Sequence, residues 1–217
     1  MPRFPAALTL LLLAAPAPGQ AIPAAAAWAD QVPSLLGAES LGGSTAALAT
    51  AGFATLSIAY GQGLTARDDL AGSAQFNWST TELVLGGSWR RQLGRVGGWD
   101  LAGRLAAGWY LDGGSTLIHD DNLPDRGVQL APGLAVSSRG LGLLTASLDV
   151  PFTVTTWRGG GTWIAPRLAV TYEAALYDRV ALGVSGSLAW RGGTGGAPMR
   201  AGQVLPELLV TGTWKLD

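Results

Sequence analysis

The stretch Trp99-Asp100-Leu101-Ala102-Gly103-Arg104-Leu105-Ala106-Ala107-Gly108-Trp109-Tyr110-Leu111 decides the fold. Trp99, Leu101, Gly103, Leu105, Ala107, Trp109 and Leu111 share one parity; Asp100, Ala102, Arg104, Ala106, Gly108 and Tyr110 share the other, with both charges. A period of two over this length is a strand with one apolar and one polar face. At about 3.3 Å per residue the two tryptophans lie roughly 33 Å apart along the strand. A tilt of about 40° brings that to roughly 25 Å, the height of the apolar band of an outer-membrane barrel. The stretch predicts one stave of a transmembrane antiparallel β-barrel.

The same alternation extends through the chain. Ala54, Leu56, Ile58 and Tyr60 form one apolar face, and Leu70, Gly72, Ala74, Phe76 and Trp78 the next. Leu83, Leu85 and Trp89 stand against Glu82, Ser88 and Arg90. Later strands carry Val128 to Val136, Leu144 to Val154, Ile164 to Tyr172, Val180 to Trp190, and Leu208 to Leu216. Strand charges, Glu207 among them, fall on the opposite parity, and Arg90, Asp100, Arg104, Asp149, Arg167, Glu173 and Lys215 are the candidate lumen charges. Arg91 is the exception, placed where a long side chain snorkels. Aromatic residues sort to strand ends: Trp78, Trp109 and Trp190 at one rim, and Tyr60, Trp89, Trp99, Tyr172 and Trp214 at the other, as two girdles. A soluble core would bury tryptophans mid-strand instead.

The bulk numbers agree with a lipid-facing exterior. Of 217 residues, 48% are hydrophobic and only 13% charged, well short of the roughly 25% typical of soluble domains. A net charge of −1 gives no electrostatic case for nucleic acid. The absence of cysteine excludes disulfides, thiolate metal sites, a cysteine nucleophile and a lipoprotein anchor. Residues 1–21 read as a signal peptide: Arg3, the apolar run Ala6 to Ala15, and a small-x-small cleavage site at Gly19-Gln20-Ala21. No later run offers ~20 apolar residues, so the sequence predicts no membrane-spanning helix. Residues 22–42 read as a periplasmic lead-in and 43–217 as the barrel.

Connections also sort into two sets. Short ones are expected at Thr65 to Asp69, Leu93 to Gly98, Ser137 to Gly140 and Leu176 to Arg179. Long ones fall at Gly113 to Asp125, Thr155 to Thr162 and Arg191 to Gln203. Short periplasmic turns opposite longer outer loops are the outer-membrane pattern. With a weak first strand at Thr45 to Thr50 the count is ten, eight being the alternative, and both termini are periplasmic. Hairpin folding around Arg158 predicts Asp149 opposite Arg167, and folding around Arg95 predicts Arg90 opposite Asp100.

With these residues in view, the chain resembles the small, porin-like, largely uncharacterised outer-membrane barrel proteins of Gram-negative bacteria. The phrases Gly61 to Leu70 and Leu176 to Val180 are similar to their strand–turn–strand units. Gly212, Trp214 and Leu216 are similar to their C-terminal assembly signal, although the chain ends in Asp217 rather than an aromatic. The resemblance implies a monomer embedded in outer-membrane lipid, inserted by the barrel assembly machinery, with no cofactor and no nucleic-acid partner. The expected function is a narrow, low-conductance channel for small solutes. The alternative is a structural or adhesive barrel acting through its outer loops. A third class is an omptin-like or lipid-modifying hydrolase. The only histidine, His119, lies beside Asp120 and Asp121 without the Asp-x-His spacing or a second carboxylate pair, so no enzyme is expected. Asp120, Asp121, Asn122 and Asp125 offer oxygen ligands of the kind Ca²⁺ takes, but read as a solvated loop, and no metal site is expected. Gly159 to Gly161 and Gly192 to Gly196 lack the context of a phosphate loop and read as loops. Asn77-Trp78-Ser79 lies within a strand and is no glycosylation site.

Overall fold

In a computed structural model the described residues are 32–78, 81–113, 125–156, 160–195 and 203–217. Twelve strand segments account for most of them: β1 (Thr45–Gly52), β2 (Thr55–Gly63), β3 (Asp68–Asn77), β4 (Glu82–Val96), β5 (Trp99–Asp112), β6 (Asp125–Arg139), β7 (Leu143–Asp149), β8 (Phe152–Thr155), β9 (Gly161–Ile164), β10 (Arg167–Tyr177), β11 (Val180–Gly195) and β12 (Gln203–Lys215). Among the described residues there is no helix. β7 and β8 are halves of one stave, as are β9 and β10, so the wall has ten staves. Each pairs antiparallel with its neighbours in sequence, and β1 pairs with β12. The result is a closed ten-stranded up-and-down barrel.

Both interruptions have the same cause. Proline has no N–H to give to the ladder, and Pro151 and Pro166 fall at the breaks. Their carbonyls still accept, from Ala165 N at 2.9 Å and Trp190 N at 3.0 Å, and Val150 N reaches Pro132 O at 2.9 Å. The wall is therefore continuous through the breaks.

Closure links the first strand to the last with a stagger. Ala46 pairs with Lys215 on one side. Followed the other way round the wall, its ladder reaches β12 at Gln203, about twelve residues along the strand from Lys215. Ten staves with that stagger tilt by roughly 40° and enclose a tube roughly 20 Å across between backbones. Opposite side chains can meet across such a width.

The alternation sorts inside from outside, with polarity inverted relative to a soluble protein. Large apolar side chains are exposed on the outer surface, among them Trp109 (70%), Leu188 (55%), Val210 (60%) and Leu134 (51%). The buried side chains include Asp69, Arg90, Asp100, Ser137, Thr145, Thr153, Glu173, Ser185, Thr211 and Thr213. Tyr60, Trp78, Trp89, Tyr172, Trp190 and Trp214 are likewise exposed, and Trp99 is half-exposed. Arg91 points outward and pairs at 3.5 Å with Asp68, the first residue of β3.

Several strands run longer than the sequence suggests. β4 continues through Val96 and β11 through Gly195, so Leu93–Val96 and Gly192–Gly195 are wall, not loop. The β4–β5 turn is only Gly97–Gly98, with φ of +57° and +85°. Positive φ at both central residues is the tight-hairpin conformation that glycine adopts without strain. Leu93 is an extra residue at a bulge between Gln92 and Gly94. The two effects move the register, so Arg90 faces Arg104, and Asp100 faces Arg95 rather than Arg90. Asp149 does stand opposite Arg167.

Candidate functional site

The lumen is the one interior this architecture offers, and its contents fall into three levels. At the end carrying the short turns, residues 32–41 dip into the barrel and return to the rim at Ser44. Pro33, Glu39, Ser40, Leu41 and Ser44 all line the open vestibule there, which has a volume of about 920 Å³. The middle of the segment lies deeper, against staves on opposite walls. Arg90 on β4 holds it most directly: Nη1 donates to the carbonyls of Ser34 (2.8 Å) and Gly37 (2.6 Å). The same guanidinium pairs with Asp69, Nε donating to Oδ2 at 2.8 Å. Asp69 Oδ1 in turn accepts from Leu41 N and from Ser40 Oγ, both at 2.9 Å. On the far wall Ser34 Oγ donates to Glu173, which also accepts from Thr213 Oγ1 at 2.7 Å. Ala38 N donates to Ser137 Oγ at 2.7 Å, and Ala38 packs against Ala102 and Ala135. Glu39 pairs with Arg139.

Carbonyls and amides from a segment without regular structure need partners once buried. The inward face supplies them as charged and hydroxyl side chains, which the small neighbours Ala102, Ala135 and Gly61 leave room to reach. The segment is a plug built of backbone.

The middle level holds two ion pairs along the wall, Arg104–Asp149 at 3.7 Å and Arg167–Glu207. Gly133 stands between Arg104 and Asp149 on their ladder. A Cβ there would lie 2.1 Å from Asp149 Oδ1, so the missing side chain is what lets this pair form. Arg167 also donates from Nε to Ser187 Oγ at 3.1 Å. Side-chain exposures of 23% and 29% for Arg104 and Asp149 leave these groups accessible to water.

At the end carrying the long connections, among the described residues, side chains cross the lumen. Arg191 on β11 reaches Glu82 on β4, five staves away and so on the opposite wall, at 2.7 Å. Its guanidinium carbon sits 5.7 Å from the ring centre of Trp163. Trp163 meets Tyr110 edge-on at 5.1 Å, and the Tyr110 hydroxyl donates to Glu82 Oε1 at 2.8 Å and approaches Asp112 at 3.3 Å. Gln129 and Thr153 bond beside this bar at 3.0 Å.

Of the charges expected in the lumen, Arg90, Asp100, Arg104, Asp149, Arg167 and Glu173 face inward, and Lys215 lines the vestibule. Their partners differ from the register-based expectation. Asp149 pairs with Arg104 and Arg167 with Glu207 instead of with each other, and Arg90 pairs with Asp69. Asp100 bonds Arg95 at 2.8 Å and Gln92 at 2.9 Å. Trp163 and Arg191 escaped the sequence reading, although parity marks both: each adjoins an outward residue, Ile164 or Trp190. His119 and Asp120 to Asn122 lie outside the described residues. Among the described residues no acidic or histidine group gathers as a metal-binding set.

No protein-family model, no curated protein and no solved structure matches this chain.

Proposed function

We propose that the protein is an integral β-barrel of a Gram-negative-type outer membrane that works as a narrow, low-conductance channel for small solutes, shut in its resting state. The carrying observation is the inverted polarity: an apolar exterior around a polar, ion-paired interior. In water the exposed Leu, Val, Trp and Ile side chains would each forgo about 1.5–3 kcal/mol of burial; in lipid they do not. The interior is the converse. Arg104, Asp149, Arg167 and Glu207 stand as partly exposed ion pairs along the inner wall, which supports a polar path between the two closed ends. The reading is non-catalytic and monomeric. It places both termini and the plugged end in the periplasm, with insertion by the assembly machinery.

Two measurements test it. Leu134 lies mid-wall on the outer face, and Leu134→Lys is expected to destabilise the lipid-embedded barrel by about 2–4 kcal/mol. A change near zero, or recovery of the wild type as a soluble monomer, would refute membrane embedding. In planar bilayers the wild type should show small, infrequent openings, and deletion of residues 33–41 combined with Arg191→Ala should raise the current severalfold. Silence in both would leave the structural or adhesive role in its place.

A further inference from the structure

The loop-end bar has the composition of a binding site whose occupant is part of the wall. Arg191 lays its guanidinium against the Trp163 ring and bonds the Glu82 carboxylate, the two contacts by which proteins hold organic cations. Tyr110 orients that carboxylate from the other side. The fit of the tethered group is incomplete, because Arg191 Nε is buried with no hydrogen-bond partner among the described residues. An untethered guanidinium is free to turn its donors toward acceptors; one fixed to β11 is not.

The surrounding charge points the same way. Glu82 faces Asp112 across β4 and β5, and Asp112 faces Asp125 across β5 and β6, which puts three carboxylates in one row on the inner wall. Like charges directly opposed on a sheet repel, and Arg191 is a cation held beside this row. These groups do not gather as a metal-binding set, and the aromatic wall suits a planar or alkylated cation better than a hydrated metal ion.

We infer that the bar is a cation-recognition site occupied at rest by the protein's own Arg191, and that the solutes it admits are small organic cations bearing a guanidinium or ammonium group. A solute of that kind makes the contacts that Arg191 makes, displaces it, and frees the loop end of the lumen, passage further on requiring the plug at the turn end to leave. Neutral sugars carry no charge with which to compete for either partner of the bar. This assignment rests on the channel reading above for its transport step, but the site itself is measurable without conduction.

The test uses the full-length protein in detergent and in bilayers, with methylguanidinium and methylammonium as probes and sodium at matched ionic strength as control. Arg191→Ala vacates the site. It is expected to bind methylguanidinium by calorimetry, and in bilayers millimolar methylguanidinium added from the loop side should reduce its current. Adding Glu82→Gln or Trp163→Leu should weaken that binding by about tenfold or more. If Arg191→Ala fails to fold, Arg191→Gln keeps the first three carbons of the side chain and removes the charge. Binding without any current would uphold the cation site and overturn the channel. Current without binding, or methylguanidinium acting no better than sodium, would overturn the cation site and leave a structural bar.

Discussion

The two ends of the lumen are closed by different materials. At the turn end the obstruction is backbone, nine or ten residues of it, held by Arg90, Asp69, Ser137 and Glu173 on several staves at once. At the loop end, among the described residues, it is side chains, one arginine meeting one carboxylate over an aromatic pair. The first must leave as a unit, because releasing one hydrogen bond leaves the others in place. The second yields to a rotamer change. A barrel of this width is thus obstructed by a segment held at many points at one end and by a single ion pair at the other, a difference that fits the proposed channel.

The largest expected effect breaks the turn end. Arg90→Ala removes the group that holds two plug carbonyls and strands Asp69, a buried carboxylate, without its cation. Removing one partner of a buried pair costs about 3–5 kcal/mol. Denaturant unfolding in detergent should register a loss of that size, and a thiol placed at Ala38→Cys should label much faster in the Arg90→Ala background. Unchanged labelling would mean that the plug does not depend on Arg90, and the contrast between the two ends would fail.

A smaller effect of opposite sign sharpens the same contrast. Ala38 and Ser137 lie side by side, and the chain has no cysteine to interfere. Ala38→Cys with Ser137→Cys should form a disulfide that stabilises the barrel by about 2–4 kcal/mol. It should also abolish the current of Arg191→Ala until reductant is added. Current that persists through the locked plug would place the pathway elsewhere.

The smallest effect belongs to the loop end. Tyr110→Phe removes one hydroxyl bond to Glu82 and retains the ring against Trp163, so stability should fall by only about 1 kcal/mol. Opening frequency in bilayers should nonetheless rise, because Glu82 loses the group that orients it toward Arg191. A stability loss as large as that of Arg90→Ala would show that the bar is structural support rather than a responsive closure.

The wall was legible in the chain because its information is local. An apolar exterior and a polar interior impose a period of two on every stave, and Trp99 to Leu111 shows it without reference to any other residue. Parity therefore sorted Arg104, Asp149, Arg167 and Glu173 inward before any pairing was known, and ten staves followed from matching the termini. The contents of the lumen depend on more than parity. Asp149 faces Arg167 across the ladder as the hairpin suggests, yet bonds Arg104 because Gly133 leaves the space between them open. Arg90 misses Asp100 because Leu93 bulges and a two-glycine turn follows. Residues 32–41 carry no period at all, and their role exists only where Asp69, Arg90, Ser137 and Glu173 converge. Which side of the wall each side chain faces is set residue by residue, so the alternation alone gives it. Which side chains meet across the lumen was decided by the closed tertiary structure, since stagger and strand count belong to the whole ring.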